Sequence, residues 1–210
     1  MFGYVSNYDA FDPLLFVYQG GGRLFDNLQN PTRTTFDDPA NVAALEWFVN
    51  LIYQYHVAPS PDEVRELYRS SGGVAGGILG GKIGMWTGNL ADRGGRADGS
   101  QWPMRWGAVT LPRDEEAATM VTLSGYFISS QAETPDACWE WISFLTQYPP
   151  QRQTPVQRTQ LESSAYEQQV GADIAAVAQA SMEHSVLLSP RLVEFQQALG
   201  IFQRVVEAIT

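Results

Sequence analysis

The stretch GGILGGKIGMWTGN, residues 76–89, gathers glycines, a lysine, an indole and an amide within one short span. Gly76, Gly81 and Lys82 satisfy G-x-x-x-x-G-K, the backbone cradle and lysine with which nucleotide-binding proteins hold phosphates. Position 83 is Ile, where that motif needs a Ser or Thr hydroxyl for Mg²⁺. A phosphate loop also leaves a buried strand and opens a helix. Here the polar RSSGGVAGG follows a predicted helix, and KIGMW after the lysine reads as a strand. The nucleotide reading is set aside on those grounds. Lys82 is expected in solvent at a strand entry and Ile83 as the first inward residue.

Other reactive side chains are sparse. His56 and His184 lie far apart, and neither has a partner at metal-ligand spacing. There is no G-x-S-x-G nucleophile elbow. Carboxylates are plentiful, so a glycosidase pair is open on numbers, yet no pair stands out. The one cysteine, Cys138, forbids an intrachain disulfide and is expected in a helix core. No metal and no cofactor are expected.

Aromatics beside turns remain: Tyr18 before Gly20–Gly22, Trp86 at the end of KIGMW, Trp102, and Tyr126 after Gly125. Trp86 is the strongest, because the polar, turn-like TGNLADR follows it at once. An indole at a strand's mouth can stack on a sugar ring while the Asn89 amide and Arg93 guanidinium bind hydroxyls.

These groups must be positioned by elements that the sequence signals locally. FGYV (residues 2–5) reads as a strand and Leu14–Tyr18 as a helix ended by Gly20–Gly22. A helix opens at Asp38–Pro39, with Val42, Leu45, Phe48, Val49 and Ile52 on one face. Ser60, Pro61 and Glu63 form a capping box for the next. Residues 105–112 and 120–129 read as strands. TPDACWEWISFLTQ reads as a helix with Cys138, Trp141, Ile142 and Leu145 inward. Two tail helices are expected at about 163–184 and 190–209, the second striped by Leu192, Phe195, Leu199, Phe202, Val206 and Ile209. Strands alternating with helices favour an α/β fold.

The net charge of −10 argues against nucleic acid and against an anionic membrane surface. No apolar run approaches the ~20 residues that cross a bilayer. Met1 leads straight into FGYVSNYD, with neither a basic nor an apolar leader.

In order along the chain, GGRLFDN, TFDDPANVAALEWFVNLIYQYHVAP, LGGKIGMWTGN, WGAVTLP, SGYFISSQAETPDACWEWISFLT and SPRLVEFQQALGIFQRVVEAI resemble segments of the family 1 extracellular solute-binding proteins of ABC importers. That group includes the maltodextrin-binding proteins. The resemblance implies a type II periplasmic-binding-protein-like fold of two α/β lobes, here a truncated lobe with a mixed sheet flanked by many helices. It implies residues 1–119 as the first part of the second lobe, 120–160 as a crossing toward the first lobe, and 161–210 as a helical return. It implies ligand contacts at Tyr18, at Trp86 to Asn89, at Gly125 and Tyr126, and at Phe195 or nearby Glu194. Where members often place a Trp, this chain has Asn89-Leu90.

The function implied is capture of an oligosaccharide or related polyol for membrane permease subunits, without catalysis. The location implied is extracytoplasmic, with a lipoprotein anchor in the full-length protein and no signal in this chain. A truncated lobe is expected to expose apolar surface and to self-associate. The alternatives are a glycoside hydrolase fragment, or capture of glycerol phosphate, a polyamine or iron. Arg93, Arg96 and Arg105 are the only basic cluster near the expected cleft that a phosphate ligand would use.

Overall fold

A computed structural model describes residues 1–6, 11–27, 31–89, 103–123, 125–148, 153–187 and 195–210. The chain divides into two compact units, one of residues 1–88, 111–120 and 188–210, the other of residues 89–110 and 121–187. The two units are interleaved along the chain.

The first unit begins with β1 (Phe2–Val5), α1 (Phe11–Gln19), α2 (Pro39–Tyr53), α3 (Pro61–Ser71), α4 (Val74–Leu79) and β2 (Ile83–Trp86). β1 and β2 pair in parallel, with Phe2 opposite Ile83, Tyr4 opposite Met85 and Val5 opposite Trp86. Parallel neighbours need a crossover connection, which α1 to α4 supply. The Phe2 N–H donates to the Lys82 carbonyl at 2.8 Å and so extends the pairing.

α1 stops at the glycines because Gly21 takes φ +76°, a left-handed turn that costs glycine little. Gly22 is required for a different reason. A β-carbon there would sit 2.0 Å from Asn41 Oδ1. Asn41, 2% exposed on α2, fills that space and bonds the backbone of Arg23. α3 carries the capping box that its sequence signals. Ser60 Oγ accepts from the Glu63 N–H at 3.3 Å, and Glu63 Oε2 accepts from the Ser60 N–H at 2.8 Å.

The buried face of α2 differs from the expected one. Asn41, Ala44, Phe48 and Ile52 are inside, with Phe16 of α1 against Phe48 at 5.3 Å. Val42 is exposed, and Leu45 and Val49 are half-buried. These three line an open apolar groove with Phe36, Val205 and Ile209. The last two belong to α9 (Phe195–Ile209), whose inner stripe of Phe195, Leu199, Phe202 and Val206 is the expected one. Leu192 lies outside the described residues, and Ile209 is partly exposed.

In the second unit, α6 (Arg158–Leu161), α7 (Ser164–Val170) and α8 (Ala172–Glu183) pack around Leu161, Tyr166, Ala175 and Ala178. The single helix expected near 163–184 is broken at Gly171, which has φ +89°. α5 (Pro135–Leu145) forms where the sequence places it but has no buried residue. Cys138 is half-buried rather than in a core. Trp139, Trp141 and Phe144 are exposed.

Of the segments 105–112 and 120–129, only β3 (Thr119–Val121) is a strand; it forms a two-stranded sheet with β4 (Ser185–Leu187). Residues 105–112 take no strand conformation, and Val109 is 84% exposed. An apolar run becomes a strand only where a neighbour accepts its backbone hydrogen bonds. Among the described residues no helix is long and apolar enough to cross a membrane.

Candidate functional site

The two parallel strands run out on one side into Ser6 after β1 and Thr87 after β2. In open α/β structures, ligands bind beyond the carboxyl ends of parallel strands. Asp12, in the first turn of α1, meets both ends. Ser6 Oγ donates to Asp12 Oδ2 at 3.2 Å, and Thr87 Oγ1 donates to the same carboxylate oxygen. Ser6 is 1% exposed, so its hydroxyl has to be satisfied by protein. Tyr4 lies on the same face of its strand, two residues before Ser6. Burial, and then the Asp12 charge, push the Tyr4 hydroxyl up to about 12, against hydrogen bonds with Thr87 and Ser6 that favour ionisation. Tyr4, Ser6, Asp12 and Thr87 are thus one polar network.

Trp86 precedes Thr87 at the end of β2 and is half-buried; opposite Val5 in the register, it stands on the other strand face from Tyr4 and Thr87. Gly88 borders the ring: a β-carbon on it would lie 3.7 Å from the indole Nε1. The carboxyl ends of β1 and β2 therefore carry a half-buried indole, a carboxylate and hydroxyls. Asn89 is exposed and is the first residue of the second unit.

Tyr18, expected at the ligand, is in the core at 1% exposure. The helical spacing of α1 turns it inward with Leu14, Leu15 and Val17. The Arg23 guanidinium sits over its ring, 5.1 Å from the centroid. Its hydroxyl has no hydrogen-bond partner among the described residues, and burial pushes its pKa up against the pull of Arg23. Phe195 is buried at the start of α9, against Phe25 at 6.2 Å. Gly125 and the exposed Tyr126 stand in irregular backbone of the second unit. Arg93, Arg96, Trp102 and Glu194 lie outside the described residues.

Ser6, Asp12, Thr87 and Tyr4 escape sequence reasoning. Their only signal is a hydroxyl straight after each apolar strand, in FGYVS and IGMWT. The phosphate-loop lookalike is a helix and a turn. Gly76 is inside α4, Gly81 takes φ +68°, and exposed Lys82 donates from Nζ to Ser71 Oγ at 2.7 Å. Lys82 stands at the opposite end of β2 from Thr87. Ile83 is inward, at 5% exposure. His56 is exposed in a left-handed conformation (φ 52°) just past α2, and His184 is exposed at the end of α8. Among the described residues no three His, Cys, Asp or Glu side chains gather as a metal site would need.

No protein-family profile matches the sequence. Solved structures do resemble the chain. An ABC substrate-binding protein from Listeria monocytogenes, in complex with cycloalternan, aligns at TM-score 0.71 and 18% identity, covering 100% of this chain and 54% of that one. The maltose-maltodextrin-binding protein of Alicyclobacillus acidocaldarius aligns at TM-score 0.70 and 19% identity over 99% of this chain and 58% of its own. A maltose-bound MalE3 protein of T. maritima aligns at 0.66 and 21%, over 99% and 55%. The chain spans little more than half the length of these proteins. It has the type II periplasmic-binding-protein-like fold that they share, the fold of sugar-binding proteins of ABC importers.

Proposed function

We propose that this chain is part of the substrate-capturing, extracytoplasmic component of an ABC importer, and that its solute is an oligosaccharide or related polyol. The observation that carries this reading is the mouth of β1 and β2. There β2 ends in the half-buried Trp86, and the network of Tyr4, Ser6, Asp12 and Thr87 lies at the same strand ends. A sugar ring offers apolar C–H faces to an indole and hydroxyls to a polar network, and it needs both together. The likeness in fold to proteins solved with maltose and with cycloalternan supports the same class of ligand.

The chain captures and does not transform. The solute passes to membrane permease subunits, which recognise the liganded full-length protein, itself held at the membrane by a lipid anchor. Asn89, Arg93, Gly125 and Tyr126 are further candidate ligand contacts. The exposed aromatic face of α5 drives self-association of this chain.

Isothermal titration against maltose, maltotriose and cycloalternan tests the reading. Stoichiometric uptake of at least one saccharide without new reducing ends supports it. Release of reducing ends would favour the glycoside hydrolase reading, and uptake of none of the three refutes carbohydrate capture by this chain.

A further inference from the structure

α2 and the turn that follows it carry an aromatic pair that the strand mouth does not use. Trp47 and Tyr55 lie with ring centroids 5.5 Å apart and planes inclined at 58°. They are 50% and 48% exposed. Gln54, two turns after Trp47 on the same helix face, and His56, next to Tyr55, are exposed as well. Neither of these side chains has a hydrogen-bond partner among the described residues. His56 holds its place against backbone strain. The Val57 and Ala58 N–H groups both close back on the Leu51 carbonyl at 3.0 Å, a helix ending that puts residue 56 in the left-handed region. Glycine is the usual occupant, because a β-carbon is crowded there. At φ 52° His56 is the one non-glycine with positive φ among the described residues. Strain of this kind gathers at functional sites.

From this arrangement we infer that Trp47, Gln54, Tyr55 and His56 form a second saccharide site on the surface of the first unit, and that it takes an α-linked glucan chain. The rings offer apolar faces to sugar C–H groups, while the amide and the imidazole donate to and accept from hydroxyls. Size argues for a small occupant. Two half-exposed rings present roughly 200 Å² of surface, whereas a protein partner needs about 800 Å² a side. The inclination of the rings argues for the linkage. Successive sugars of an α-linked glucan turn relative to one another, so that each lies on one ring of a bent pair; a flat β-linked ribbon needs coplanar rings. The inference rests on the carbohydrate reading for the class of ligand, but the surface is separate from the mouth and is tested apart from it.

Native gel electrophoresis of the whole chain through soluble starch, an α-linked glucan, and through hydroxyethylcellulose, a β-linked one, tests the surface. Every sample carries Trp86→Ala, so that stacking at the mouth contributes little. This background is expected to be retarded by starch and not by the cellulose derivative. Adding Trp47→Ala should lower the starch affinity roughly tenfold. Adding His56→Gly should leave the thermal midpoint unchanged or raise it, because the strain is relieved, while the starch affinity falls several-fold. A histidine kept only for structure would not separate the two. Circular dichroism checks folding; should Trp47→Ala fail to fold, Tyr55→Ser is read in its place. Equal starch retardation with and without Trp47, equal retardation by both polymers, or retardation by neither overturns the site. Calorimetric uptake of maltose or maltotriose that persists in Trp47→Ala, without starch retardation, removes this surface and leaves the mouth reading standing. Uptake lost in Trp47→Ala and kept in Trp86→Ala, with starch retardation, supports this surface and removes the mouth as the place of capture.

Discussion

The side chain of Asn41 grips both polar groups of one distant residue. Its Oδ1 accepts from the Arg23 N–H at 2.9 Å, and its Nδ2 donates to the Arg23 carbonyl at 2.7 Å and also to the Thr35 carbonyl. This amide ties α2 to the chain that leaves α1, in a place where Gly22 leaves room and no water reaches. Removing it strands the Arg23 N–H, while the Arg23 carbonyl keeps the Thr35 hydroxyl and the Thr35 carbonyl keeps the Asp38 N–H; one group left unpaired costs ~1–3 kcal/mol. Asn41→Ala should therefore lower the stability of the first unit by about 1–3 kcal/mol. Gly22→Ala should cost about 1–3 kcal/mol, because the new methyl overlaps Asn41 Oδ1. Urea denaturation of each variant measures this, and midpoints equal to wild type would show that the amide is not needed.

Stability at the extremes of pH should follow Tyr4 and Asp26 in opposite senses. Burial and the Asp12 charge hold the Tyr4 hydroxyl protonated up to about 12. An unfolded tyrosine ionises near 10, so between about 10 and 12 the unfolded chain gives up a proton that the folded chain keeps, and stability falls as pH rises. Asp26 is held down to about 2 by the Thr32 side chain first and by the Thr32 and Arg33 N–H groups. Its contribution is present above its ordinary 3.8 and is lost as pH falls toward 2. Tyr4→Phe should flatten the alkaline limb and Asp26→Asn the acid limb. Denaturation curves across both ranges decide it; superimposable alkaline limbs for wild type and Tyr4→Phe would refute the account of Tyr4.

Trp86→Ala should weaken saccharide binding by ~1–3 kcal/mol, the usual loss when a stacked aromatic leaves a desolvated site. The half-buried indole is not in the centre of the core, so the variant should still fold. Calorimetry on the folded variant gives the number, and unchanged affinity would return Trp86 to a packing role.

Trp141 and Phe144 of α5 stack on one another at 5.8 Å and 20°, with Tyr148, just past the helix, edge-on to Phe144 at 5.9 Å; all three are exposed. A helix apolar on most of its surface is ordinarily buried. Sedimentation velocity should show association that rises with concentration, and Trp141→Glu with Phe144→Glu should raise the concentration needed by roughly tenfold or more. A wild-type monomer at all concentrations, binding no apolar dye, would dispose of this expectation.

Much of the fold was legible because its causes are local. The Ser60–Glu63 box, Pro39 at the start of α2, the glycines after α1, and the inward turn of Ile83 each depend on a few neighbouring residues. The stripe of α9 was legible because its period is that of a helix. The buried face of α2 was misread because Asn41 is polar, and only its bonds to Arg23 make burial acceptable. Tyr18 was misread because nearness to a turn says nothing about which way α1 faces. The strand expected at 105–112 did not form, since its apolar pattern implies a backbone partner that the sequence does not name.

The sequence by itself determined where α2, α3 and α5 begin, that the chain is an acidic α/β protein, and that Trp86 stands at the end of a strand. Only the tertiary structure decided that Asp12 joins Ser6 to Thr87. Those residues are 6 and 75 positions from Asp12 along the chain. Parallel pairing of β1 with β2 is what brings them to one carboxylate, and such long-range pairing leaves no periodic or compositional mark on the residues that it unites.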